Sequence, residues 1–384
     1  MKITAIRSHM MGIPGPGGHA PARNWIFVEV ETDVGITGIG EATTEYHEHA
    51  VAAMIDKHFA PLLVGQDPTR VHHAWQQMQR LFWWRGGVVA SSAASGIEQA
   101  LWDVTGKAYD QPVYKLLGGA VRDYVRTYAR TDLGLPTYGE EAATAVAEGF
   151  DAFKFGPGDL VKPYSPDRQV DVALAVAREV REAAGPNCDL MIDCGGVFSL
   201  QAAHRLIDGL RDVRTLFVEE PVNMDTPQGL IELRRAFPDT RIAAGERLAT
   251  RWQLREWLEK GAVDVIQVDL SHGGGIGELL RIAAYAEVHN VTVAPHNPYG
   301  PVALAANLHA ALTMPNFLIL EHCRHRPWLD EVQLHGPKVQ AGRVEPPDRP
   351  GLGVELDWDY VKKHPYQRLP LRDPRLADGS LPPL

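Results

Sequence analysis

Six side chains that can bind a metal ion or carry a proton recur at nearly regular intervals in the second half of the chain. In order, they are Asp193, Glu219, Glu246, Asp269, His296 and Glu321. The intervals between them are 26, 27, 23, 27 and 25 residues. Any one acid alone would more often be a helix N-cap or a surface charge, but six in register favour a shared site. Five carboxylates in one place would repel each other and raise their pKa values unless a cation lay among them.

The cation that these residues predict is a hard one. Three oxygen ligands from separate segments suit an octahedral ion such as Mg²⁺, which keeps open positions for water or substrate. Such an ion stabilises the doubly charged enediolate that forms when the proton α to a carboxylate is removed. A histidine held within hydrogen-bond reach of that proton is able to remove it. The residue types therefore predict metal-assisted proton abstraction, with one Mg²⁺ per subunit.

The elements that must position these side chains are short strands. From about residue 125, apolar runs alternate with helix-like stretches. The runs cover residues 125–128, 152–155, 190–193, 216–219, 242–246, 265–269, 291–296 and 318–321. Strands alternating with helices predict βαβ units around a parallel sheet, and eight of them favour a (β/α)8-type barrel. Because all strands of a barrel end at one mouth, the six side chains are expected to meet there.

Two other regions flank the predicted barrel. Residues 1–124 predict an α+β domain, with a strand pair around 25–39 and helical periodicity at 50–59, 71–82 and 91–109. After about residue 335 the periodicity stops, and nine of the 28 prolines fall in the last 48 residues. We therefore expect three parts: an α+β domain at 1–124, the barrel at 125–335, and a proline-rich wrap at 336–384.

The composition limits the partners and the compartment. The chain of 384 residues has 38 basic and 48 acidic side chains, a formal charge of −10, which disfavours nucleic-acid binding. There is no apolar run long enough for a membrane span and no secretory signal at the N-terminus. Three cysteines without a CxxC motif fit a reducing cytoplasm. The expected partner is a small anionic substrate, which an acidic protein binds with the help of a cation.

Several motifs resemble the enolase superfamily, and within it the mandelate racemase subgroup, closest to the acid sugar dehydratases that are similar to galactonate dehydratase. The resemblance covers nearly the whole chain. It rests on GIGEA (38–42), RGGVVASSAASGIEQALWDVTGK (85–107), PVYKLLGG (112–119), LMIDC (190–194), FVEEPV (217–222), AAGERLATR (243–251), VIQVDLSHGGGIGE (265–278) and APHNPYGPVALAANLHAAL (294–312). It implies an α/β fold, a modified TIM-type (β/α)7β barrel with an α+β N-terminal capping domain that the C-terminal tail completes.

The resemblance also assigns the metal ligands and the catalytic groups. Asp193, Glu219 and Glu246 match the family's three metal ligands, whereas Glu220 should point away because side chains alternate along a strand. His296 matches the general base and Asp269 the partner that orients its ring. Glu321 matches an acid that hydrogen-bonds the substrate carboxylate or enolate. That role requires a protonated Glu321, which crowding by other carboxylates would favour.

The contacts with substrate are expected from side chains beside this set. Lys154 stands where the subgroup has the first Lys of a Lys-x-Lys pair. Tyr46 and His47 lie in a predicted capping loop, and His322 follows Glu321. Specificity is expected to lie in the capping loops at about 14–25 and 43–50. A homo-oligomer is also expected.

The function that follows is a Mg²⁺-dependent dehydratase that turns a sugar acid into a 2-keto-3-deoxy acid. The alternatives are a cycloisomerase or epimerase of the same superfamily, a Schiff-base aldolase acting through Lys154, and a degenerate barrel that only binds. The chain departs from the related dehydratases at two positions, with Gly195 in place of their leaving-group His and Gly156 in place of the second Lys. The proton for the leaving hydroxyl would then come from His296 or from Tyr46, His47 or His49.

Other conspicuous residues have simpler explanations. Cys194 is expected to be a buried filler, and His272 and His309 are expected to be structural. His325 could contact substrate or not, with equal weight. Trp83 and Trp84 are expected to pack the cap against the barrel.

Overall fold

The N-terminal domain of the computed structural model is built on a three-stranded antiparallel sheet. Its strands are β1 (Ile3–Pro14), β2 (Pro21–Thr32) and β3 (Thr37–Glu41), in that order. The structure describes residues 1–14, 21–159, 161, 165–324, 328–369 and 378–381. The alternating sequence of β2 divides its side chains between two cores. Ile26 and Val28 face the helices of this domain, whereas Trp25 and Phe27 belong to the core shared with the barrel.

The helices of this domain cover one face of the sheet. They are α1 (Glu48–Ala53), a π-helical continuation (Met54–Phe59), α2 (Ala60–Leu63), α3 (Val71–Arg80), α4 (Val88–Ala108) and α5 (Val113–Leu116). The small residues of α4 let it approach the sheet closely. A Cβ atom on Gly40 would lie 1.9 Å from the carbonyl oxygen of Gly96. This packing leaves the N-terminal half of α4 facing the barrel.

Within the described residues, the barrel contains eight parallel strands. They are β4 (Val125–Arg130), β5 (Ala152–Phe155), β6 (Asp189–Asp193), β7 (Thr215–Glu219), β8 (Ile242–Ala244), β9 (Val265–Ile266), β10 (Thr292–Val293) and β11 (Leu320–His322). Neighbours in sequence pair in parallel, and β11 pairs with β4. A bridge between Val293 and Phe317 joins the remaining edges, so the sheet curls into a barrel. The α/β barrel with an α+β cap, predicted from the sequence, is confirmed.

The helices surround this sheet, and one side chain from each strand region fills its centre. The helices are α6 (Tyr138–Ala147), α7 (Pro166–Ala184), α8 (Leu200–Gly209), α9 (Gln228–Ala236), α10 (Thr250–Glu259), α11 (Leu270–Gly273), α12 (Ile276–Val288) and α13 (Pro301–Thr313). The central side chains are Tyr128, Ala152, Met191, Phe217, Ala243, Val265, Ala294 and Ile319. The barrel interior is thus a packed core, and the polar chemistry is left to the strand ends.

Two buried glutamates of the N-terminal domain hold it against the barrel. Glu41 accepts hydrogen bonds from the backbone N–H groups of Gly300 and Ala303, at 2.8 and 2.9 Å, at the start of α13. Glu98 accepts from Ile276 and Gly277 at the start of α12, both at 2.8 Å. The first N–H groups of a helix lack intrahelical partners and favour negative charge. Burial nevertheless raises the pKa of each carboxyl to about 7.

The C-terminal segment returns to the N-terminal domain. Its elements are α14 (Trp328–Glu331), β12 (Gln333–His335), β13 (Arg343–Val344), β14 (Glu355–Leu356) and α15 (Trp358–Lys363). The N–H of Gly12 donates to the carbonyl of His364 at 2.9 Å, and the N–H of Gln367 donates to the side chain of Asn24 at 3.0 Å. The tail therefore completes the cap. No helix in the described part of the chain is long and apolar enough to span a membrane.

One expectation from the sequence is wrong. Trp83 and Trp84 do not pack the cap against the barrel, because their side chains are 95% and 96% exposed in the loop between α3 and α4. The cysteines Cys188, Cys194 and Cys323 are buried and free, and burial raises the pKa of each thiol.

Candidate active site

Each barrel strand contributes one polar side chain to the mouth of the barrel. In chain order these are Arg130, Lys154, Asp193, Glu219, Glu246, Asp269, His296 and Glu321. The first four and Glu321 lie within strands, whereas the other three lie two or three residues beyond a strand end. Parallel strands all end at one rim, so the fold brings together residues that are far apart in sequence. The sequence predicted this set except for Arg130.

Three of the carboxylates form a cluster that fits a metal ion. Asp193, Glu219 and Glu246 each offer a carboxylate oxygen, and these oxygens lie within 4.8 Å of one another. Oε1 of Glu219 is buried and has no hydrogen-bond partner among the described residues. Burial and the charges of Asp193 and Glu246 raise the pKa of Glu219 to about 8. An orphaned oxygen among crowded carboxylates, with oxygen donors only, suits a hard divalent cation such as Mg²⁺.

The neighbouring acid Glu220 lies outside this cluster. Its carboxylate faces Arg247, with 3.0 Å between Oε2 and Nη2. Its backbone has a φ of +39°, which marks a sharp change of direction directly after β7. The separation of the two acids expected from the sequence is therefore present, but the turn at Glu220 produces it.

Lys154 is buried beneath the cluster of three carboxylates and balances its negative charge. Its Nζ lies 2.9 Å from Glu219 Oε2, 3.5 Å from Glu321 Oε1 and 3.9 Å from Asp193 Oδ2. Burial opposes the charged form, but Glu219 and Glu321 outweigh burial and raise the pKa of Lys154 well above its usual value. An ammonium paired with several carboxylates is a poor nucleophile, so this environment argues against a Schiff-base role.

His296 and Asp269 form a hydrogen-bonded pair on the other side of the cluster. Nδ1 of His296 lies 2.7 Å from Oδ2 of Asp269. Despite burial, His272 and His296 help to lower the pKa of Asp269, so the carboxylate accepts and Nδ1–H donates. Nε2 of His296 is then the nitrogen that can exchange a proton with a substrate, and it faces Glu246 at 3.3 Å. Burial opposes protonation, but Glu246, Glu321 and Asp269 raise the pKa of His296 to about 10.

A hydrogen-bond chain connects this pair with the N-terminal domain. Asp269 begins α11 and accepts from the N–H of His272 at 3.1 Å, and it also bonds the hydroxyl of Tyr299. The Tyr299 hydroxyl lies 2.7 Å from His272 Nε2, and His272 Nδ1 lies 2.8 Å from Ser92 Oγ on α4. Docking of the cap therefore bears directly on the orientation of the dyad. Tyr299 was missed in the sequence because no periodic pattern distinguishes it.

Glu321 differs from the expectation of a protonated acid. Burial raises its pKa, but Lys154, His296 and Arg130 lower it below the ordinary range of a carboxyl group. The Arg130 guanidinium donates to Oε1 at 3.1 Å, and the N–H of Asn297 donates to Oε2 at 3.0 Å. Glu321 is therefore an ionised acceptor, because cations and not carboxylates are its nearest neighbours.

Arg130 is the side chain at the barrel mouth that the sequence did not predict. It is the last residue of β4, two positions beyond the apolar run that ends at Tyr128. The buried guanidinium of Arg324 donates to its carbonyl at 2.8 Å and also contacts Asp132 and Glu141. The strand-end rule that found the acids would have found Arg130 if the strand had been extended by two residues.

A cavity of about 520 Å³ opens above these groups. Its walls include side chains from both domains. They are Arg23, Thr44, Glu45, His47, Val88, Arg130, Asp193, Glu246, Arg247, Ala249, Gln253, His272, His296, Pro298 and Tyr299. Glu45 and the three arginines give the entrance both signs of charge.

The predicted substrate contacts are only partly at this cavity. His47 lines the cavity, and Lys154 lies at the base of the carboxylate cluster. Tyr46 is 43% exposed and is not one of the lining residues, so its assignment is not supported. The assignment of His322 is not supported either, because alternation along β11 places it opposite Glu321, with its ring stacked on Phe150 at 6.2 Å.

Glycine stands at two positions where the related dehydratases have a His or a Lys, and both positions leave space beside the site. Gly195 has a φ of +56°, and a Cβ there would meet no atom within 4 Å. A Cβ on Gly156 would meet only the hydroxyl of Tyr138, at 3.7 Å. Of the three capping-loop candidates for the leaving-group acid, His47 alone lines the cavity, since His49 packs on Tyr366 at 4.4 Å. His325 and residues 15–20 of the first specificity loop lie outside the described residues.

Comparisons with known proteins match the chain over almost its whole length. Residues 18–118 match the N-terminal domain of mandelate racemase and muconate lactonizing enzyme, and residues 137–360 match the enolase C-terminal domain-like family. The D-galactonate dehydratases of Ralstonia pickettii and Xanthomonas oryzae are each 38% identical, with 99% of both chains covered.

Solved structures agree with these matches. An enolase from Agrobacterium radiobacter, a candidate galactarate dehydratase with bound sodium and L-malate, is 32% identical at a TM-score of 0.88, covering 99% of both chains. A member of the enolase superfamily from Salmonella Typhimurium is 30% identical at a TM-score of 0.84, covering 95% of this chain and 98% of that one.

Proposed function

The chain belongs to the mandelate racemase and muconate lactonizing enzyme family of the enolase superfamily, and we propose from this membership that it is a Mg²⁺-dependent acid sugar dehydratase. The observation that carries the proposal is the arrangement of a three-carboxylate cluster beside a single His–Asp pair. The reaction is the loss of water from a 2,3-dihydroxy acid to give a 2-keto-3-deoxy acid. The enzyme class is a carbon–oxygen lyase.

The chain's own residues account for the proton abstraction. A magnesium ion held by Asp193, Glu219 and Glu246 would stabilise the negative charge that develops on the substrate carboxylate. Nε2 of His296 removes the proton from C2, and Asp269 stabilises the imidazolium that results. Lys154 adds a fixed positive charge at the base of the cluster. The hydroxyl at C3 then leaves, and the enol product tautomerises to the ketone.

The leaving hydroxyl needs a proton, and His296 is the preferred source. After abstraction, its Nε2 carries a proton on the same side of the substrate from which it was taken, so elimination is syn. His47 is the second candidate because it lines the cavity. Neither route needs a side chain at position 195.

A racemase or epimerase is less well supported than a dehydratase. Those reactions need bases on both faces of the α-carbon. Only one face retains an obvious base here, because Gly156 replaces the second Lys of the Lys-x-Lys pair and Lys154 is held as an ammonium by Glu219 and Glu321. A cycloisomerase would share the carboxylate cluster and the base His296, but it would not release water.

The names of the relatives support an acid sugar as substrate. Two of them are D-galactonate dehydratases, and one solved relative holds L-malate, a small hydroxy acid. A cytoplasmic location, a homo-oligomeric state and domain boundaries at residues 124 and 335 belong to the same proposal. They follow from the sequence arguments and from family membership.

The experiment that tests the proposal is a screen of aldonic and aldaric acids for 2-keto-3-deoxy products. It is run with Mg²⁺ and, in parallel, with EDTA. At least one acid should yield product with Mg²⁺ and none with EDTA. A substrate that is converted to an isomer without loss of water would replace the dehydratase proposal with a cycloisomerase or an epimerase.

His296→Asn should abolish both dehydration and exchange of the C2 proton with solvent, because the side chain can no longer accept that proton. Deuterium incorporation into recovered substrate measures the exchange. His49→Asn is the matched control, since His49 packs on Tyr366 away from the cavity, and it should keep wild-type rates. Continued exchange in His296→Asn would rule out His296 as the base.

A further inference from the structure

Three serines of the N-terminal domain contact one turn of the barrel, and the proposed mechanism uses none of them. Ser91, Ser92 and Ser95 lie on the N-terminal half of α4 and are buried. The hydroxyl of Ser91 donates to the carbonyl oxygen of His272 at 2.6 Å, and the N–H of Gly274 donates to the hydroxyl of Ser95 at 2.9 Å. These two contacts hold the backbone of the turn. Ser92 differs because its hydroxyl reaches the ring of His272, with 2.8 Å between Oγ and Nδ1.

The imidazole of His272 has a single hydrogen to place between two neighbours. Burial lowers the pKa of His272, so the ring is neutral and only one of its nitrogens carries hydrogen. Nδ1 faces Ser92, and Nε2 lies 2.7 Å from the hydroxyl of Tyr299. In a neutral histidine, the hydrogen bond made by one nitrogen decides the role of the other. The row of side chains therefore has two alternative proton orders.

In the first order, every donor points toward Asp269. The hydroxyl of Ser92 donates to Nδ1 of His272, and Nε2–H of His272 donates to the hydroxyl of Tyr299. The hydroxyl of Tyr299 then donates to Asp269, which is ionised and can only accept. Each of these hydrogens has an acceptor, and the last bond is strengthened by the negative charge of the carboxylate.

The second order reverses these bonds and leaves two groups worse off. Nδ1–H of His272 would donate to Ser92, and the hydroxyl of Tyr299 would donate to Nε2. The hydroxyl hydrogen of Ser92 would then have no acceptor, because His272 is its one hydrogen-bond partner among the described residues. Asp269 would lose the hydrogen of Tyr299 and face an oxygen lone pair instead. A buried donor without a partner is costly, so the first order is the more stable.

We propose that these hydrogen bonds run in one direction from α4 to the dyad, with hydrogen on Nε2 of His272, and that Ser92 is the positioning residue at their start. This order makes Tyr299 a donor to Asp269. Asp269 then accepts from Tyr299 on one side and from Nδ1–H of His296 on the other, which fixes the carboxylate between them. His272, expected from the sequence to be structural, is a second positioning residue.

The tautomer of His272 is measured by two-dimensional ¹H–¹⁵N correlation spectra of the full chain labelled with ¹⁵N only at histidine, at neutral pH with Mg²⁺. Ring nitrogens that carry hydrogen and those that do not resonate far apart. Among the 16 histidines, the signals of His272 are those missing from His272→Gln. The wild type should show hydrogen on Nε2. In Ser92→Ala the signal of Nδ1 should move, because that nitrogen loses its donor. A wild type with hydrogen on Nδ1, or on both nitrogens, would overturn the proposal.

Steady-state kinetics separate positioning from simple docking of the two domains. Ser92→Ala should lower kcat by about 3- to 10-fold with little change in KM, the equivalent of one neutral hydrogen bond. Ser91→Ala is the matched control, because it removes a hydroxyl that holds the same turn by its backbone. Both variants should lose similar thermal stability, but Ser91→Ala should keep the wild-type kcat. Equal loss of kcat in both would reduce Ser92 to a docking contact.

The expected change in kcat rests on the proposed function, whereas the tautomer of His272 does not. A wild type that dehydrates no acid but shows hydrogen on Nε2 would contradict the proposed function and leave the proton order in place. A wild type that dehydrates a sugar acid but shows hydrogen on Nδ1 would contradict the proton order alone.

Discussion

Glu219 and Glu220 are adjacent and chemically identical, yet their surroundings separate them completely. Glu219 faces Asp193, Glu246 and Lys154, and one of its oxygens has no partner among the described residues. Glu220 faces Arg247 on the other side of the chain. The pair therefore offers a direct comparison of two glutamates, of which one is assigned to the metal.

Glu219→Gln should weaken Mg²⁺ binding at least about 100-fold, because the affinity of such a site depends on the number of charged ligands. Isothermal titration calorimetry with MgCl₂ measures the affinity, and dehydration should become undetectable. Glu220→Gln is the matched control and should bind Mg²⁺ like the wild type. Equal loss of binding in both variants would contradict the ligand assignment.

Tyr299 acts through hydrogen bonds and not through contact with the carboxylate cluster. Its hydroxyl bonds Asp269 and His272, and its ring packs edge-on against His296 at 6.0 Å. Loss of the hydroxyl removes a bond to a charged group but leaves the ring packing intact. The orientation of the dyad should therefore suffer more than the fold.

Tyr299→Phe should lower kcat by about 10- to 100-fold, the equivalent of one hydrogen bond to a charged group, while KM changes little. Steady-state kinetics on the substrate found by the screen measure both constants. Tyr46→Phe is the control, since Tyr46 is largely exposed outside the cavity, and its constants should match the wild type. If Tyr46→Phe were the impaired variant, the predicted substrate contact would be restored.

At the scale of elements, α13 is anchored by a buried histidine. His309 is fully buried, its Nδ1 accepts from the N–H of Tyr114 on α5 at 3.0 Å, and its ring stacks on Tyr114. Burial lowers the pKa of His309 to about 4. The folded protein therefore resists protonation of this residue, whereas the unfolded chain takes up a proton near pH 6.5.

The sign of the resulting pH effect is clear. Between pH 6.5 and 4 the unfolded chain binds one more proton at His309 than the folded protein does, so the free energy of unfolding falls as the pH falls. From pH 6.5 to pH 5 this residue contributes a loss of about 2 kcal/mol. Above pH 6.5 His309 is neutral in both the folded and the unfolded state, so this loss of stability is absent.

His309→Asn should reduce this acid sensitivity, because asparagine can accept the Tyr114 hydrogen bond but does not titrate. Urea unfolding at pH 7 and pH 5 gives the difference in unfolding free energy for each protein. His335→Asn, a change at a half-exposed histidine, should retain the wild-type difference. An undiminished pH effect in His309→Asn would remove His309 as its source.

The observed ends of two barrel strands differ from those that the apolar pattern predicts. The apolar run at 265–269 predicts a strand as far as Asp269, but β9 contains only Val265 and Ile266, and Asp269 instead caps α11. The predicted strand ended too late because apolar content does not show which residues pair. For β4 the error was in the other direction, and Arg130 was lost from the predicted site.

At the scale of the whole molecule, the charge of −10 matters less than its distribution. The three ligand carboxylates repel each other in the absence of a cation, so the fold bears an electrostatic cost that metal binding relieves. A ligand that binds only the folded state stabilises it by mass action. The binding of Mg²⁺ and the stability of the folded state are therefore linked.

Addition of Mg²⁺ should raise the melting temperature by a few degrees over the value in EDTA, because a concentration 100-fold above Kd contributes about 2.7 kcal/mol. Differential scanning calorimetry provides the measurement. Glu219→Gln should show little or no increase, and its melting temperature in EDTA should not be lower than that of the wild type. An increase of equal size in that variant would mean that Mg²⁺ binds elsewhere.

The sequence by itself determined the kind of chemistry and the kind of fold. Residue types at strand ends, at intervals near 26 residues, are properties of the chain, and a barrel converts such a periodicity into proximity whatever the details of packing. Spacing placed the six side chains at one mouth, and the resemblance to the enolase superfamily divided them into the ligand cluster and the His296–Asp269 pair.

Only the tertiary structure decided what depends on contacts between distant segments. The ionised state of Glu321 comes from Arg130 and Lys154, on strands far from it in sequence. Tyr299 matters because the cap places Ser92 against His272. Burial is likewise a property of the packed molecule, since apolar content alone put Trp83 and Trp84 inside and the fold leaves them in solvent.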